Sequence, residues 1–456
     1  MIPSPAYRQN SQAAEFSPGE RSQALFERAR GVFPDGTTRI TIDRDPFPRY
    51  VLRGEGAYLI DVDGRRFLDL NANFTTLIHG HAFEPVIAAV ERQMRNGTCF
   101  ANPTQAEVEL ASLLCERVPR LERIRFVNTG TEAVMFAIKA ARAFTGRPCI
   151  AKIEGAYHGA YDWVEVAQAS APENWGAPDR PAATGYYHGM PASVRDDVVV
   201  LRFNDAGAAR DLLSRRAGEI AAVLIDPMPS RAGLVAPEPE FLSAVQETAR
   251  QHGILVISDE VLNFRQDYRG ASARYGLEPD LFALGKIIGG GFPIGAVGGP
   301  REIMAVFDAC HGRPLLPQGG TFSANPISMV AGHAAMTALD QAAFARLEAL
   351  GSNLRKRLED AISRAGAPLS ITGAASLFRI HPKPTPPREF REAYCTPAQA
   401  NINNEMSRFF ARQGIILPSG AAACLSTPIG EPEIDAIASA FEAFLAENSA
   451  LIEETL

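Results

Sequence analysis

The chain has 456 residues, 46% of them hydrophobic and 21% charged, with a formal net charge of −7. That length exceeds what one apolar core usually serves, so a large domain with a smaller companion is expected. The acidic balance argues against nucleic-acid and anionic-membrane partners, and no apolar run is long enough to span a bilayer.

Residues up to about Glu20 are polar and proline-punctuated, which predicts a loosely held arm. Met1-Ile2-Pro3-Ser4-Pro5 has no signal-peptide pattern, so a cytoplasmic location is expected. Ser22 to Arg30 reads as a helix stopped by Phe33-Pro34-Asp35-Gly36. Tyr50–Leu52 and Ala57–Ile60 suit a hairpin, and Asp63-Gly64 turns the chain into Arg66–Leu70. Helical patterns follow at Pro85–Asn96, Thr104–Val118, Gly130–Thr145 and Glu238–His252. Short apolar strands fit Ile124–Val127, Cys149–Ile153, Val198–Arg202, Ala221–Ile225 and Ile254–Ser258. Apolar strands separated by helices predict an α/β fold with a parallel sheet covered on both faces. Ala167–Asp197 breaks the alternation with prolines and small residues, as either a lid or a plain surface excursion. Beyond Asn325-Pro326 the chain turns helical over Ile327–Asp340 and Gln341–Ala365. Strands near Ala375–Ile380 and Ile415–Leu417 and a helix from Glu431 complete it.

The six cysteines lack CxxC spacing and read as reduced, mostly buried thiols. His79-Gly80-His81 has no third ligand nearby, so no metal site is expected.

In such folds ligands gather at the C-terminal ends of the strands. There the chain sets Asn128-Thr129-Gly130-Thr131, Tyr157-His158-Gly159 and Asp259-Glu260. Gly130 lets the backbone close on an anion at a helix start, and the Thr131 hydroxyl can hold phosphate oxygens, although an ordinary N-cap has the same pattern. Tyr157 can stack on a flat ring, although an aromatic at a strand end also serves as core edge. Leu284-Gly285-Lys286-Ile287-Ile288-Gly289-Gly290-Gly291 sets one lysine in a glycine-rich turn. A nucleophilic lysine needs a fixed position, a lowered pKa and open space, and glycines with apolar neighbours supply them. Gly319-Gly320-Thr321-Phe322 adds a second phosphate-type turn. A phosphate turn, a stacking aromatic, an acid and a lysine in this order suit pyridoxal 5'-phosphate, with Lys286 as the Schiff-base residue and Asp259 as the partner of the pyridinium.

At these residues the chain resembles the class III aminotransferases of fold type I. The resemblance runs from Gly54-Glu55-Gly56-Ala57-Tyr58 almost to the C-terminus. It is densest at Asp259-Glu260-Val261, Pro279-Asp280-Leu281 and Gly285-Lys286-Ile287-Ile288-Gly289-Gly290-Gly291. The nearest subgroup looks like glutamate-1-semialdehyde aminomutase and the β-amino-acid transaminases. The resemblance implies a mostly parallel seven-stranded sheet in a large domain, residues 71–325. A smaller α+β domain would be built from both termini, residues 1–70 and 326–456. It implies that Lys286 carries the cofactor and moves a proton, and that Asp259 keeps the ring nitrogen protonated. Val261 and Tyr157 would pack on opposite ring faces, with His158 beside Tyr157. Gly130 and Thr131 would hold the phosphate, joined by Thr321 of a neighbouring subunit in a homodimer.

Three departures from the family pattern stand out. Asp226-Pro227 replaces the usual Glu-Pro, Val261-Leu262-Asn263-Phe264-Arg265 lacks the usual threonine-glycine, and Thr129 replaces a serine. Pro34-Asp35-Gly36-Thr37-Thr38-Arg39 resembles the segment supplying a carboxylate-binding arginine, which gives Arg39 either that role or a surface ion pair. Leu417–Cys424 carries no charge, which suggests a roomier or more apolar pocket and argues against an aminomutase. The expected function is amino transfer between an amine or β-amino acid and a keto acid or aldehyde, with ping-pong kinetics. An aminomutase or racemase using the same lysine is the alternative. A non-catalytic cofactor-binding regulator on the same scaffold is a more distant one.

Overall fold

A computed structural model of the chain describes residues 19–455. The arm expected before Glu20 lies almost wholly outside them. The central feature is a seven-stranded sheet. Its strands in chain order are β1 Arg123–Val127, β2 Cys149–Ile153, β3 Val198–Leu201, β4 Ile220–Ile225, β5 Leu255–Asp259, β6 Leu281–Gly285 and β7 Gly295–Gly299. Their spatial order is β1-β7-β6-β5-β4-β2-β3. Only β7 runs antiparallel to its neighbours.

Strands β2, β4, β5 and β6 are buried at every position, which explains their mostly apolar sequences. Alternate side chains feed opposite layers. Leu224 joins the cluster of Val134, Ala137 and Ile138 on the Gly130–Thr145 helix. Val223 and Ile225 join Leu213, Phe241 and Val245 from the helices Ala206–Arg215 and Pro239–His252. Strands β6 and β7 did not figure among the predicted elements; the glycine-rich turn read from Leu284 overlaps the end of β6, and three of the five residues of β7 are glycine. Those glycines mark close backbone approach instead: a Cβ on Gly295 would lie 2.1 Å from the Thr129 carbonyl oxygen.

The second part of the fold joins distant segments. Strands Val51–Glu55, Tyr58–Asp61 and Arg66–Asp69 form an antiparallel sheet, which Ile415–Ile416 extends in parallel against Leu68 and Asp69. Ser370–Thr372, Leu377–His381 and Ala423–Cys424 make another small sheet. One apolar cluster runs through both parts, from Leu110, Leu284 and Ile288 to Leu354, Phe410 and Phe441. Helix Pro397–Arg412, which was not among the predicted elements, packs its Ile402, Met406 and Phe409 into that cluster.

The Ala167–Asp197 excursion is an ordered flap. Its tip is a two-stranded ladder of Gly176–Ala177 with Arg180–Pro181. Arg391 binds the carbonyls of Trp175 and Gly176 while pairing with the buried Glu154 at 2.7 Å. Trp175 also meets Tyr394 edge-on at 5.7 Å. All six cysteines are free, but the expectation that most are buried fails: only Cys149 and Cys424 are, and Cys99 and Cys310 are exposed on loops. His79 and His81 bind Ala335, Thr427 and Asp69 within the fold. No helix among the described residues is long and apolar enough to cross a membrane.

Candidate active site

The predicted residues converge because parallel strands bring their C-terminal ends to one edge of the sheet. Asp259 ends β5, where its register partner on β6 is Ala283, three residues before Lys286. Gly285 pairs with Gly295, and Gly295 with Val127, so the Asn128–Thr131 turn meets the lysine turn.

The two acids after β5 point in opposite directions, as the period of two demands. Asp259 is nearly buried; its Oδ2 lies 2.7 Å from His158 Nδ1, and its Oδ1 accepts from the Val261 amide at 3.0 Å. Glu260 accepts from the amides of Ala271 and Ser272 at 2.8 and 2.7 Å, so it holds a helix start and takes no part in the site. Burial lowers the His158 pKa although Asp259 opposes it, leaving a neutral imidazole whose Nε2 has no partner among the described residues.

Lys286 has φ +50, a left-handed conformation that costs a non-glycine residue about 1 kcal/mol. Its amine has neither a hydrogen bond nor an ion pair among the described residues. Burial, with a smaller contribution from buried Arg265, lowers its pKa to about 8 against the opposing pull of Asp259 and Asp226. Asp226 is buried beside Asp259 and Lys286. Its carboxylate accepts from the Met228 amide at 2.9 Å and from Asn263 Nδ2. Burial first and the Asp259 charge second raise its pKa well above the ordinary aspartate value.

The anion cradle is built by close contacts. Helix Gly130–Thr145 is capped by the Thr129 side chain, which accepts from the Glu132 amide at 3.1 Å. A Cβ on Gly130 would meet Val261 Cγ1 at 2.7 Å, and one on Gly159 would meet Thr131 Oγ1 at 2.2 Å. Thr131 Oγ1 also accepts from the Ala160 amide at 3.2 Å, which joins the helix start to the Tyr157-His158-Gly159 loop. Tyr157 stays 53% exposed, with its ring available for stacking.

Arg39 lies outside this cluster, on Asn73 Oδ1 at 3.1 Å and over the Phe74 ring at 5.5 Å. Both partners belong to a left-handed turn, Ala72–Thr75, whose four non-glycine residues all have positive φ. Asp69 Oδ1 accepts from the Asn71 and Ala72 amides, and fully buried Arg265 donates to the Thr75 carbonyl at 2.8 Å. Arg265 also binds Ser376 Oγ and the Leu425 carbonyl, tying three chain segments together. Thr321 is exposed with Phe322 on the surface, where its carbonyl meets the Cys99 thiol at 3.9 Å. The uncharged Leu417–Cys424 segment packs in part against Arg379 and Asn403. Ala422, Ala423 and Cys424 are buried, and the void between that segment, Arg379 and Asn403 is about 10 Å3. The sequence reading missed the roles of Asp226, Asn263 and Arg265. Asp226 alone carried a signal, as an acid at a strand end like Asp259.

The model of the family Aminotransferase class-III matches residues 40–428. The chain belongs to the class-III aminotransferases. It is 39% identical over 362 residues to the glutamate-1-semialdehyde 2,1-aminomutase of Methanothermobacter thermautotrophicus, covering 79% of this chain and 83% of that one. A solved omega-transaminase from Sphaerobacter thermophilus is 47% identical with a TM-score of 0.92, over 96% of this chain and 99% of that one. The beta-phenylalanine aminotransferase from Variovorax paradoxus is 33% identical with a TM-score of 0.85, over 94% and 95%. The fold is the expected fold type I, and this class-III aminotransferase is a pyridoxal 5'-phosphate enzyme. Its residues fit that cofactor. The Lys286 amine is free, the Asp259 carboxylate is fixed, and the glycines at 130 and 159 let the helix start close on Val261 and the Tyr157-His158-Gly159 loop close on Thr131.

Proposed function

We propose that this enzyme moves an amino group from an amine or β-amino acid to a keto acid or aldehyde, in two half-reactions. The observation that carries the reading is the unpartnered Lys286 amine, with a pKa of about 8, beside Asp259 at the strand ends. The bound cofactor supplies an electron sink that stabilises charge on the substrate carbon. Lys286 provides the covalent attachment point and, when released, a neutral amine that takes and returns the substrate proton. Asp259, fixed by His158 and the Val261 amide, holds the proton on the ring nitrogen. Val261 and Tyr157 bracket the ring, and Gly130 and Thr131 bind the phosphate. Arg39, held by Asn73, binds a substrate carboxylate.

A homodimer completes the site through Thr321 of the second copy. Support comes from the exposed position of Gly319–Phe322, where Phe322 is 59% exposed beside a groove of about 750 Å3 along β1. The domain division at 71 and 326 belongs to the same reading.

Intramolecular isomerisation is the second reading, favoured by the likeness to an aminomutase. The uncharged Leu417–Cys424 segment and the likeness to an omega-transaminase favour amino transfer. The test is incubation with one amino donor and no acceptor. Amino transfer predicts one equivalent of carbonyl product per site and conversion of the cofactor to its amine form. An isomerised product with no carbonyl compound released would favour the isomerase.

A further inference from the structure

Strand β4 leads into the loop Asp226–Leu234, and Arg231 stands at its crest. The backbone on both sides of Arg231 is fastened. The Ser230 carbonyl accepts from buried Arg379 at 2.6 Å, and the Gly233 carbonyl accepts from Thr372 Oγ1 at 2.7 Å. His381 Nε2 lies 3.1 Å from the same Gly233 oxygen, and the Leu234 amide closes the loop on the Pro229 carbonyl at 3.0 Å. The loop also touches the uncharged Leu417–Cys424 segment, where the Ala422 amide donates to Ser230 Oγ at 3.4 Å.

Arg231 itself is exposed, and its guanidinium carbon lies 5.2 Å from the centre of the Tyr157 ring. Among the described residues it has no ion pair and no hydrogen bond, in contrast to its neighbours. Arg265 and Arg379 are spent on carbonyls and a hydroxyl, Arg391 on Glu154, and Arg202 on Glu389. The aromatic contact orients the guanidinium without neutralising it, so its charge and its forked donors remain free for an anion.

We propose that Arg231 is a second carboxylate-binding residue of the substrate site, taking an organic acid that lies against Tyr157. In a two-stage amino transfer the exchanging carbon returns each time to the same place beside Lys286. Donor and acceptor acids differ in how many bonds separate that carbon from the carboxylate. A guanidinium of fixed reach suits one spacing. Arg39 sits on the N-terminal left-handed turn and Arg231 on the loop after β4, two independently anchored elements that can serve two spacings. The proposal rests on the amino-transfer reading for the nature of the acids, while binding is measurable without turnover.

The test is calorimetric titration of the cofactor-loaded enzyme with phenylacetate and 3-phenylpropanoate, each beside its uncharged alcohol. Arg231→Gln should weaken at least one acid about tenfold while changing its alcohol less than twofold. Arg231→Lys, which keeps the charge but loses the fork, should fall between. Acids that lose no more affinity than their alcohols would overturn the proposal. An enzyme that binds acids through Arg231 yet transfers no nitrogen would sink the amino-transfer reading and leave this inference standing.

Discussion

His158 Nδ1 faces Asp259 Oδ2 at 2.7 Å, in a position where neither side chain is open to solvent. The neutral imidazole donates its proton, so the carboxylate is oriented without being paired to a cation. It keeps its charge for the ring nitrogen. Asp259→Asn should therefore lower the rate of the donor half-reaction about 100-fold or more, the scale expected for losing a preorganised electrostatic group. His158→Gln, which leaves the carboxylate in place, should cost about tenfold. Stopped-flow rates of cofactor conversion check both, and equal losses would remove the distinction between direct and supporting roles.

The lysine makes a prediction in pH. Only the neutral amine attacks an aldehyde, and the Lys286 pKa of about 8 leaves about one amine in ten neutral at pH 7. Covalent uptake of pyridoxal 5'-phosphate by the apo-protein should accelerate as pH rises toward 8 and level off above it. Asp259 favours the charged ammonium, so Asp259→Asn should move the midpoint to lower pH. A midpoint near the ordinary lysine value of about 10 would contradict the assigned burial.

Arg265 holds Thr75, Ser376 and Leu425 from a fully buried position. Arg265→Met leaves three acceptors without a donor, at roughly 1–3 kcal/mol for each that water cannot reach. The apo-protein should melt about 5 °C lower or more. Because the left-handed turn loses its clamp, carboxylated substrates should suffer more than simple amines in the same variant. Calorimetry and paired kcat/KM measurements test the two effects separately.

Much of the sheet was legible because apolar strands and helices alternate, and the strand ends then placed Lys286, Asp259, Tyr157 and the Gly130-Thr131 turn together. Strand β7 was hidden by glycines whose purpose is close packing, as Gly295 shows. The supporting groups were hidden by distance along the chain. Arg265 reaches carbonyls 190 and 160 positions away, and no local pattern announces such a contact. Glu260 shows the converse. It reads as a site acid beside Asp259, yet strand alternation turns it to a helix start.

Arg39→Ala should reduce kcat/KM for carboxylated donors about tenfold or more while leaving simple amines within twofold, since only the former present an anion. Asn73→Ala frees the same guanidinium and should give a smaller loss in the same direction. Equal effects on both substrate classes would take Arg39 out of carboxylate binding.

The central claim is that Lys286 is the residue that holds the cofactor. The chain has only five lysines, Lys139, Lys152, Lys286, Lys356 and Lys383, which makes the assignment unusually direct. Lys152 is the rival by acidity, its pKa lowered to about 7 by burial, but its amine is enclosed and donates to the carbonyls of Ile153 and Val166. Borohydride reduction of the loaded enzyme, followed by digestion and mass spectrometry, reads the attachment site. The pyridoxyl group should be found on the peptide containing Lys286 at one per chain, and Lys286→Ala should carry none. Label on Lys152, or on no lysine, would contradict the account.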